Sequence, residues 1–427
     1  MSESSISFCR SIDQWSLAGG NLEEVLSVYE GHTISTSAEV EAICRALDSL
    51  HANYQALVGT DDRPLGLLAS YLFSPCNAEV LESIVSGALP LLRWYVTDAL
   101  SKKPYEPADL LKVLQLLAMF RQKEDISLIF KSILFPVEPE DEAWFEILAS
   151  FRDKHPYLRP FLQALAQRPP SGQAGLAFQN LCDHVVLTKQ LLPHAFNSEA
   201  GMKQLRGYLQ PSGQTLPQYA RAAVQSAAFL EKENRESLFD LASQHPDEAI
   251  VFLVNVTQAK LGDTSQEDVL RERCADVCLS YETQLKLREI GMEALIPQEA
   301  VEPEFLACAK TAHWLIHESP YRRAPDRMRV VDERELFWLP QHQPVYLYAV
   351  IYEYDQPQGE SGLTDGIAVV GGITCSLIDE TNTKMDLADV YGLHCCWELE
   401  QLNDPVAPRH RTPKIGRNLL RKNNPDF

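Results

Sequence analysis

Two histidines, His313 and His317, stand four residues apart in a segment with helical periodicity. On an α-helix this spacing places both imidazoles on one face, where they could bind the same metal ion. In the zinc peptidase motif that uses such a pair, a glutamate follows the first histidine, but here that residue is Trp314. Metalloprotease chemistry is therefore excluded, and no third ligand can be identified. We interpret the pair as a half-buried His313 beside a boundary His317, and predict neither a metal ion nor a cofactor.

The cysteines supply thiols but no arrangement that predicts catalysis. In His394-Cys395-Cys396, neighbouring positions of a helix point about 100° apart, so the three side chains cannot all bind one ion. Cys274 and Cys278 share the apolar face of one predicted helix, so we expect them to pack in a core. The ten cysteines are scattered without the spacing of a disulfide framework. We therefore expect reduced thiols in a cytoplasmic protein.

A pair of glycines, Gly371-Gly372, is the nearest approach to a phosphate-binding loop in the chain. The pair lies within a run that predicts a strand, where glycines indicate a bulge or close packing. The chain contains no P-loop, no dinucleotide-binding glycine motif and no nucleophile elbow. The sequence therefore gives no support for nucleotide binding.

The acidic balance of the chain restricts its partners. Its 59 acidic and 38 basic residues give a formal net charge of −21 over 427 residues, which repels a nucleic-acid backbone. Met1–Ser5 lacks the basic start of a secretory signal. The longest apolar runs, Ile84–Leu92 and Val345–Tyr352, have about half of the ~20 residues that a membrane-spanning helix needs. We expect a soluble cytoplasmic protein with a protein partner, no membrane partner, and nucleic acid disfavoured.

The C-terminal segment, residues 405–427, departs from this acidic balance because it carries six basic residues. Such a segment could fold back on acidic helices, contact an acidic partner or bind nucleic acid, although we favour a solvated tail. The six candidate interaction residues are Arg409, Arg411, Lys414, Arg417, Arg421 and Lys422.

The elements that must position these side chains are mostly helices, and the clearest lie in Asp247–Gly291. Apolar residues recur there every three or four positions up to Leu261, and Gly262 ends this first helix. Thr264 and Ser265 each precede an acidic residue by three positions, a capping-box spacing that predicts the start of a second helix. The stretch therefore predicts a helical hairpin.

The first helix of this hairpin opens with Ala249-Ile250 and ends with Ala259-Lys260-Leu261-Gly262-Asp263, and in this it resembles a HEAT repeat of the bacterial HEAT-like kind. The resemblance implies stacked helix pairs in a curved α-solenoid that usually binds other macromolecules, and some members of the class are enzymes or lyases. One enzymatic branch, deoxyhypusine hydroxylase, holds two irons with several His-Glu dipeptides, whereas this chain has only His317-Glu318. The alternative is an ordinary helical hairpin in a compact α domain.

The rest of the N-terminal region continues the helical pattern without a sharp repeat period. Its first helix has Ser35 or Ser37 as the candidate cap. Apolar residues three and four apart predict helices that are separated by clusters of Pro, Asp, Ser and Gly. The predicted helices are Ser35–Leu57, Leu65–Phe73, Val80–Leu100, Leu110–Phe120, Ile126–Leu134, Trp144–Phe151, Pro156–Arg168, Leu176–Leu192, Tyr219–Lys232 and Glu236–Ser243.

The C-terminal region has a different composition, rich in aromatic and β-branched residues. Val345–Tyr354 and Ile367–Leu377 predict two strands of a hairpin, and Glu335–Leu339 could add an edge strand. Asp386 is the expected N-cap of a helix over Leu387–Leu402 that covers one side of the sheet.

Together these patterns predict a mainly α protein. We expect a HEAT-like α-solenoid of stacked helical hairpins over residues 1–319, a linker over 320–343, a small α+β domain over 344–404 and a basic tail over 405–427. The leading hypothesis for function is a non-catalytic scaffold that binds a protein partner through the solenoid surface. The alternative is an enzyme or lyase with a site near the junction of the solenoid and the C-terminal domain, for which His313 and His317 are the candidate catalytic residues.

Overall fold

A computed structural model describes residues 2–58, 63–74, 77–101, 103–135, 142–152, 155–190, 192–210, 216–319, 321–358, 363–378, 384–425 and 427. This part of the chain is mainly helical, with one antiparallel sheet. It divides into two compact units, Met1–Val254 and Asn255–Phe427. The second unit therefore contains helices that precede residue 319, where the sequence predicts the end of the helical domain.

The first unit is built from helices that are mostly short and amphipathic. A π-helical turn, Ile84–Ala88, joins two of them into one continuous rod. Helix α16, Glu248–Lys260, contains the boundary between the units. The preceding helices are α1 Glu3–Ala18, α2 Leu22–Leu26, α3 Ser37–His51, α4 Tyr54–Leu57, α5 Pro64–Ser70, α6 Ala78–Ser83, α7 Leu89–Leu100, α8 Pro107–Phe120, α9 Lys123–Leu134, α10 Ala143–Ala149, α11 Leu158–Gln167, α12 Gly172–Leu187, α13 Glu199–Tyr208, α14 Pro217–Ala227 and α15 Lys232–Ala242.

Two series of helix contacts run through the first unit. Helices α8, α10, α12 and α14 contact one another in succession, and so do α7, α9, α11, α13 and α15. Contacts between chain neighbours, such as α7 with α8 and α14 with α15, connect the two series. The buried apolar side chains between them form one continuous core from Phe8 to Val254. Each helix thus buries its apolar face against helices close to it in the chain.

Helix α3 shows how a polar group fixes a helix start in this unit. Its N-cap is Thr36, between the two serines predicted for that role, and Glu39 completes a capping box. The fully buried Glu39 carboxylate accepts hydrogen bonds from the Ser35 and Thr36 N–H groups at 2.9 Å and lies 2.7 Å from His32 Nε2. Burial alone would raise the pKa of Glu39, but the bonds from Ser35, His32 and Thr36 outweigh it and lower the pKa to about 2.

The predicted helical hairpin after Asp247 has different caps from those expected. Asp263, and neither Thr264 nor Ser265, caps the turn after α16, because its carboxylate accepts the Ser265 N–H at 3.0 Å. The second helix also breaks at Asp276, whose side chain accepts the Cys278 N–H at 2.8 Å and competes with the helical backbone. Two shorter helices result, α17 Glu267–Ala275 and α18 Val277–Glu289. Cys274 and Cys278 therefore lie on different helices, which corrects the expectation that they share one.

The second unit combines these helices with a four-stranded antiparallel sheet of order β1-β2-β3-β4. In the register, Val350 of the second strand pairs with Val330 of the first and Ala368 of the third. The remaining elements are α19 Pro303–His317, β1 Arg327–Trp338, β2 Gln343–Gln358, β3 Leu363–Val370, β4 Ser376–Ile378, α20 Leu387–Gln401 and α21 Pro413–Arg421. Asp386 caps α20 by accepting the Ala388 N–H, which confirms the predicted start of that helix.

Helices cover both faces of this sheet. Leu347 and Ala349 pack with Val390 and Tyr391 on the α20 side. The alternate residues of β2 face the other way, and Tyr352 packs there with Leu315 of α19. Burial on both faces explains why Val345–Tyr354 is an almost unbroken apolar run. It also explains why the second unit begins before α17, since α19 belongs to the core of the sheet.

The basic C-terminal segment is folded and packed, which corrects the expectation of a solvated tail. Helix α21 lies against α20 so closely that a Cβ added to Gly416 would be 2.3 Å from the carbonyl of Gly392. Leu420 is fully buried. Beyond the helix, the Asn424 amide accepts the Phe337 N–H at 2.7 Å and donates to the Phe337 carbonyl at 3.2 Å. The segment thus completes the core and covers part of the β1 edge.

Candidate functional site

The second unit contains an open cleft of about 460 Å³. One wall is α19, with Tyr281 of α18 beside it, and the opposite wall is the segment between β3 and β4 together with the end of α20. The lining of the cleft includes Tyr281, Lys310, His313, Trp314, Glu318, Thr374, Cys375 and Trp397. The sequence predicts helical positions for several of these residues, but nothing in it brings the two walls together.

The α19 wall presents Lys310, His313, Trp314 and Glu318, which recur at intervals of three, one and four positions and so follow one face of the helix. The His313 ring lies 5.1 Å from the Tyr281 ring and 4.5 Å from the His317 ring, measured between centroids. His313 is half-buried, and His317, for which the sequence predicts a boundary position, is exposed. Burial, and then the neighbouring His317, lower the pKa of His313. Its imidazole is therefore neutral at physiological pH.

The opposite wall begins at Gly371-Gly372, which lies after the end of β3 and not inside a strand as predicted. Gly371 has φ +116° and a Cβ on it would lie 2.1 Å from the Tyr346 carbonyl oxygen, so only glycine is accommodated. A Cβ on Gly372 would lie 2.4 Å from Glu398 Oε1. Close packing, one of the two roles predicted for the glycines, therefore applies, and both glycines shape the wall of the cleft.

The buried side chain of Glu398 fixes the position of this wall. Its carboxylate is 1 % exposed and accepts hydrogen bonds from Trp338 Nε1 at 2.6 Å and from the Thr374 N–H at 2.7 Å. His394 Nε2 lies 3.3 Å away on the same helix. Burial acts to raise the pKa of Glu398, but the interactions with His394, Thr374 and Trp338 outweigh it, so the pKa is lowered. Glu398 is therefore an ionised positioning group that is already fully engaged.

The thiols near the cleft are poor nucleophiles. Burial, followed by the charge of Glu318, raises the pKa of Cys375 to about 12. Burial likewise raises the pKa of Cys396 to about 11 and raises that of Cys395. A thiol attacks as its thiolate, so these cysteines are unreactive at neutral pH. Within the described ranges, no group of three or more His, Cys, Asp or Glu side chains is arranged to hold a metal ion.

The basic residues of the C-terminal segment do not act as one charged surface. Arg417 forms an ion pair with Asp389 at 2.7 Å, which contributes to packing α21 on α20. Arg411 lies 3.2 Å from Glu400, with its guanidinium carbon 4.8 Å from the ring centroid of Trp397 at the cleft. Arg421 donates to the Phe427 carbonyl at 3.0 Å. The other three candidates, Arg409, Lys414 and Lys422, are exposed.

The first unit contains a buried Ser-Asp-His cluster that differs from a catalytic triad. Asp183 lies between the other two residues, 2.8 Å from His194 Nε2 and 2.7 Å from the Ser226 hydroxyl. His194 Nδ1 accepts the Phe196 N–H at 3.3 Å. In a triad the histidine contacts the serine, and here both of its nitrogens are engaged elsewhere. We interpret this cluster as a packed polar network that joins α12 to α14.

Sequence reasoning missed Glu398, Thr374 and Trp397 as members of one site. The spacing of Lys310, His313 and Trp314 could have marked one wall, because it follows a helix face. Glu398 and Thr374 are 24 positions apart, and only the tertiary fold brings them together.

Helices in the described ranges are all too short or too polar to cross a bilayer. Comparison of the chain with protein-family models, with curated proteins and with solved structures finds no match.

Proposed function

We propose that this protein is a non-catalytic protein-binding protein and that the cleft of the second unit receives a segment of its partner. The observation that carries the proposal is the aromatic lining of an open cleft in which His313 is neutral, the Cys375 thiol is protonated and Glu398 is already engaged. Trp314 and Trp397 are both partly exposed in it, and Tyr281 stands beside His313. Tryptophan and tyrosine are the residues that most often dominate the binding energy of protein interfaces.

The size of the cleft is sufficient for this function. A volume of about 460 Å³ is within the range of roughly 300–1,000 Å³ that is usual for ligand-binding pockets, which is enough space for a few side chains of a partner. The wall held by Glu398 is preformed, so a partner segment would bind without first ordering it. Preformed sites lose less conformational entropy on binding.

The chemistry of the lining supports binding over catalysis. A nucleophile needs an adjacent base, but the Cys375 thiol has a pKa of about 12. The carboxylate of Glu398 is occupied by Trp338 and Thr374. His313 has another imidazole and a phenol as its ring neighbours, and in the described part of the chain no carboxylate is hydrogen-bonded to it.

For the first unit, we propose the HEAT-like solenoid and scaffold role that the sequence resemblance implies. The two successive series of helix contacts support it, because stacked hairpins contact mainly their neighbours. Small-angle X-ray scattering tests it: a compact chain of 427 residues has a radius of gyration of about 22 Å, and a solenoid exceeds this clearly. A value near 22 Å would exclude the stacked array.

Site-specific photocrosslinking tests the binding function. A photoreactive residue at Lys310, which is exposed at the cleft, should crosslink a defined segment of one partner in native lysate. The matched control carries the same group at the exposed Lys203 on α13. Trp397→Ala in the Lys310 protein should abolish the crosslink if the partner lies in the cleft. Crosslinks that survive Trp397→Ala, or that occur equally at Lys203, would contradict the proposal.

The second candidate is an enzyme or lyase that uses His313. The observation in its favour is the neutral, half-buried imidazole that faces the cleft, since such a group can accept a proton. His317 lies against it but is exposed, which makes His317 the less suitable base. Metabolite profiling of extracts incubated with wild type and with His313→Gln tests this function. A metabolite consumed only by wild type would support it, and identical profiles would exclude it.

A further inference from the structure

We infer that the cleft selects an extended peptide segment of about four residues, with an acidic side chain at its Lys310 end, a basic side chain at its Glu318 end and an apolar side chain between them. This inference rests on the proposed binding function and specifies the chemistry of the ligand. It is argued from three features of the second unit: the spacing of two charges along α19, their pairing state, and the aromatic groups between them.

The spacing of the two charges sets the length of the ligand. Lys310 lies within α19, and Glu318 is the C-cap of the same helix, eight positions later. A rise of 1.5 Å per helical residue separates their backbones by about 12 Å along the axis. An extended chain advances about 3.3 Å per residue, so about four residues cover that distance. Both residues line the same cleft.

Whether these two side chains form ion pairs determines the order of charges along the ligand. Both are exposed, and neither forms an ion pair with another residue in the described part of the chain. Arg411, which lies over the Trp397 ring, already pairs with Glu400, and Arg322 donates to the His317 carbonyl. His313 is neutral and does not compensate Glu318. The cleft therefore presents one positive and one negative end, and its best complement has the opposite order of charges.

The groups between the two ends are apolar and aromatic. Trp314 lies between Lys310 and Glu318 on α19, and Trp397 lines the cleft from α20. Ile373, which is 47 % exposed, adds an aliphatic side chain from the wall opposite α19. An apolar side chain of the ligand would bury its surface among these groups. A carboxylate at that position would lose its hydration without gaining a partner.

Selection from a displayed library of random octapeptides, with the full chain as bait, tests the inference. Enriched sequences should carry an acidic and a basic residue three or four positions apart with an apolar residue between them. One such synthetic peptide and its charge-reversed form are then titrated by fluorescence anisotropy. Trp397→Ala should weaken binding about 30-fold, as expected for an aromatic hot spot. Lys310→Glu or Glu318→Lys should each weaken it about 3- to 5-fold, as expected for an exposed charge pair.

The charge-swapped double variant, Lys310→Glu with Glu318→Lys, gives the decisive comparison. It should prefer the charge-reversed peptide, whereas the matched control Lys203→Glu in the first unit should behave as wild type. Peptides that lose affinity with Trp397→Ala but ignore the charge swap would overturn this inference and leave the proposed function standing. If no selected peptide responds to Trp397→Ala or Trp314→Ala, both the inference and the proposed function fail. Circular dichroism of each variant confirms that the fold is retained.

Discussion

The contact between α20 and α21 makes Gly416→Ala the sharpest test of the fold. A Cβ at position 416 would lie 2.3 Å from both the carbonyl carbon and the oxygen of Gly392. Carbon atoms in proteins pack at about 3.5–4.0 Å, so the two helices would have to separate by more than 1 Å. The obstacle is backbone, which cannot rotate away as a side chain can. Separation would also expose Leu420, which is now fully buried.

The expected change in the free energy of unfolding for Gly416→Ala follows from two opposing effects. Inserting a methyl group into a tightly packed contact costs about 1–3 kcal/mol, and the rigid backbone at this site puts the cost near the upper end. Replacing glycine by alanine in a helix returns about 1 kcal/mol. We therefore expect Gly416→Ala to destabilise the second unit by about 2 kcal/mol, which corresponds to roughly 30-fold faster amide exchange in its most protected segments.

Hydrogen exchange with mass spectrometry measures this effect, because it reads the second unit separately from the first. Peptides from β1, α20 and α21 should exchange faster, and peptides from the first unit should be unchanged. The control is Gly207→Ala on α13, where no heavy atom lies within 4 Å of the added Cβ. That variant should be as stable as wild type or up to about 1 kcal/mol more stable. Equal protection of α20 in Gly416→Ala and wild type would refute the close helix contact.

Three further substitutions test buried carboxylates. Glu39, with its pKa lowered to about 2, stabilises the fold above the unfolded pKa near 4.3, and this contribution disappears as the pH falls towards 2. Glu39→Gln should therefore cost about 2 kcal/mol at pH 7 in chemical denaturation and almost nothing near pH 2; an equal loss at both would contradict the assignment. Asp109 behaves in the opposite sense, because burial, only partly offset by the Gly66 N–H, raises its pKa to about 6. The free energy of unfolding therefore decreases as the pH rises from about 4 to 6. This decrease should be smaller in Asp109→Asn, and an unchanged pH profile of stability in that variant would contradict the raised pKa of Asp109. Glu398→Gln should speed proteolysis and amide exchange of the cleft wall near Thr374 by weakening its bonds at a cost of about 1–3 kcal/mol, whereas unchanged exchange there would argue against the positioning role.

The sequence predicts the element types in much of this chain because periodicity is a local property. The cap at Asp386 and the strand over Val345–Tyr354 follow directly from side-chain chemistry. Helix α1 has no clear signal in the sequence because its start, Ser2-Glu3, is followed by serines that favour several backbone conformations. The basic segment after residue 405 resembles a solvated tail because its charges are obvious, whereas its packing signal, a single glycine at 416 matched by Gly392, is not.

The position of the unit boundary could not be read from local patterns. An apolar helix face such as that of α19 has the same periodicity whether it packs on another helix or on a sheet. In the structure it covers Val350 and Tyr352 and also contacts α18, so it joins the preceding helices to the sheet. The cleft could not be predicted from local patterns either. Periodicity places Lys310 and Trp314 on one helix face, but their distance from Trp397 depends on the whole fold.

The hydrogen bonds of Asn424 have a consequence for self-association. An outer strand normally offers a row of backbone donors and acceptors to any other extended chain, and many proteins aggregate through such edges. The Asn424 amide satisfies both the N–H and the carbonyl of Phe337, as a neighbouring strand would. Charged side chains such as Arg329 and Glu333 occupy the remainder of β1. The Asn424 side chain therefore takes the place of a neighbouring strand at Phe337, and a foreign strand cannot pair with β1 at this position.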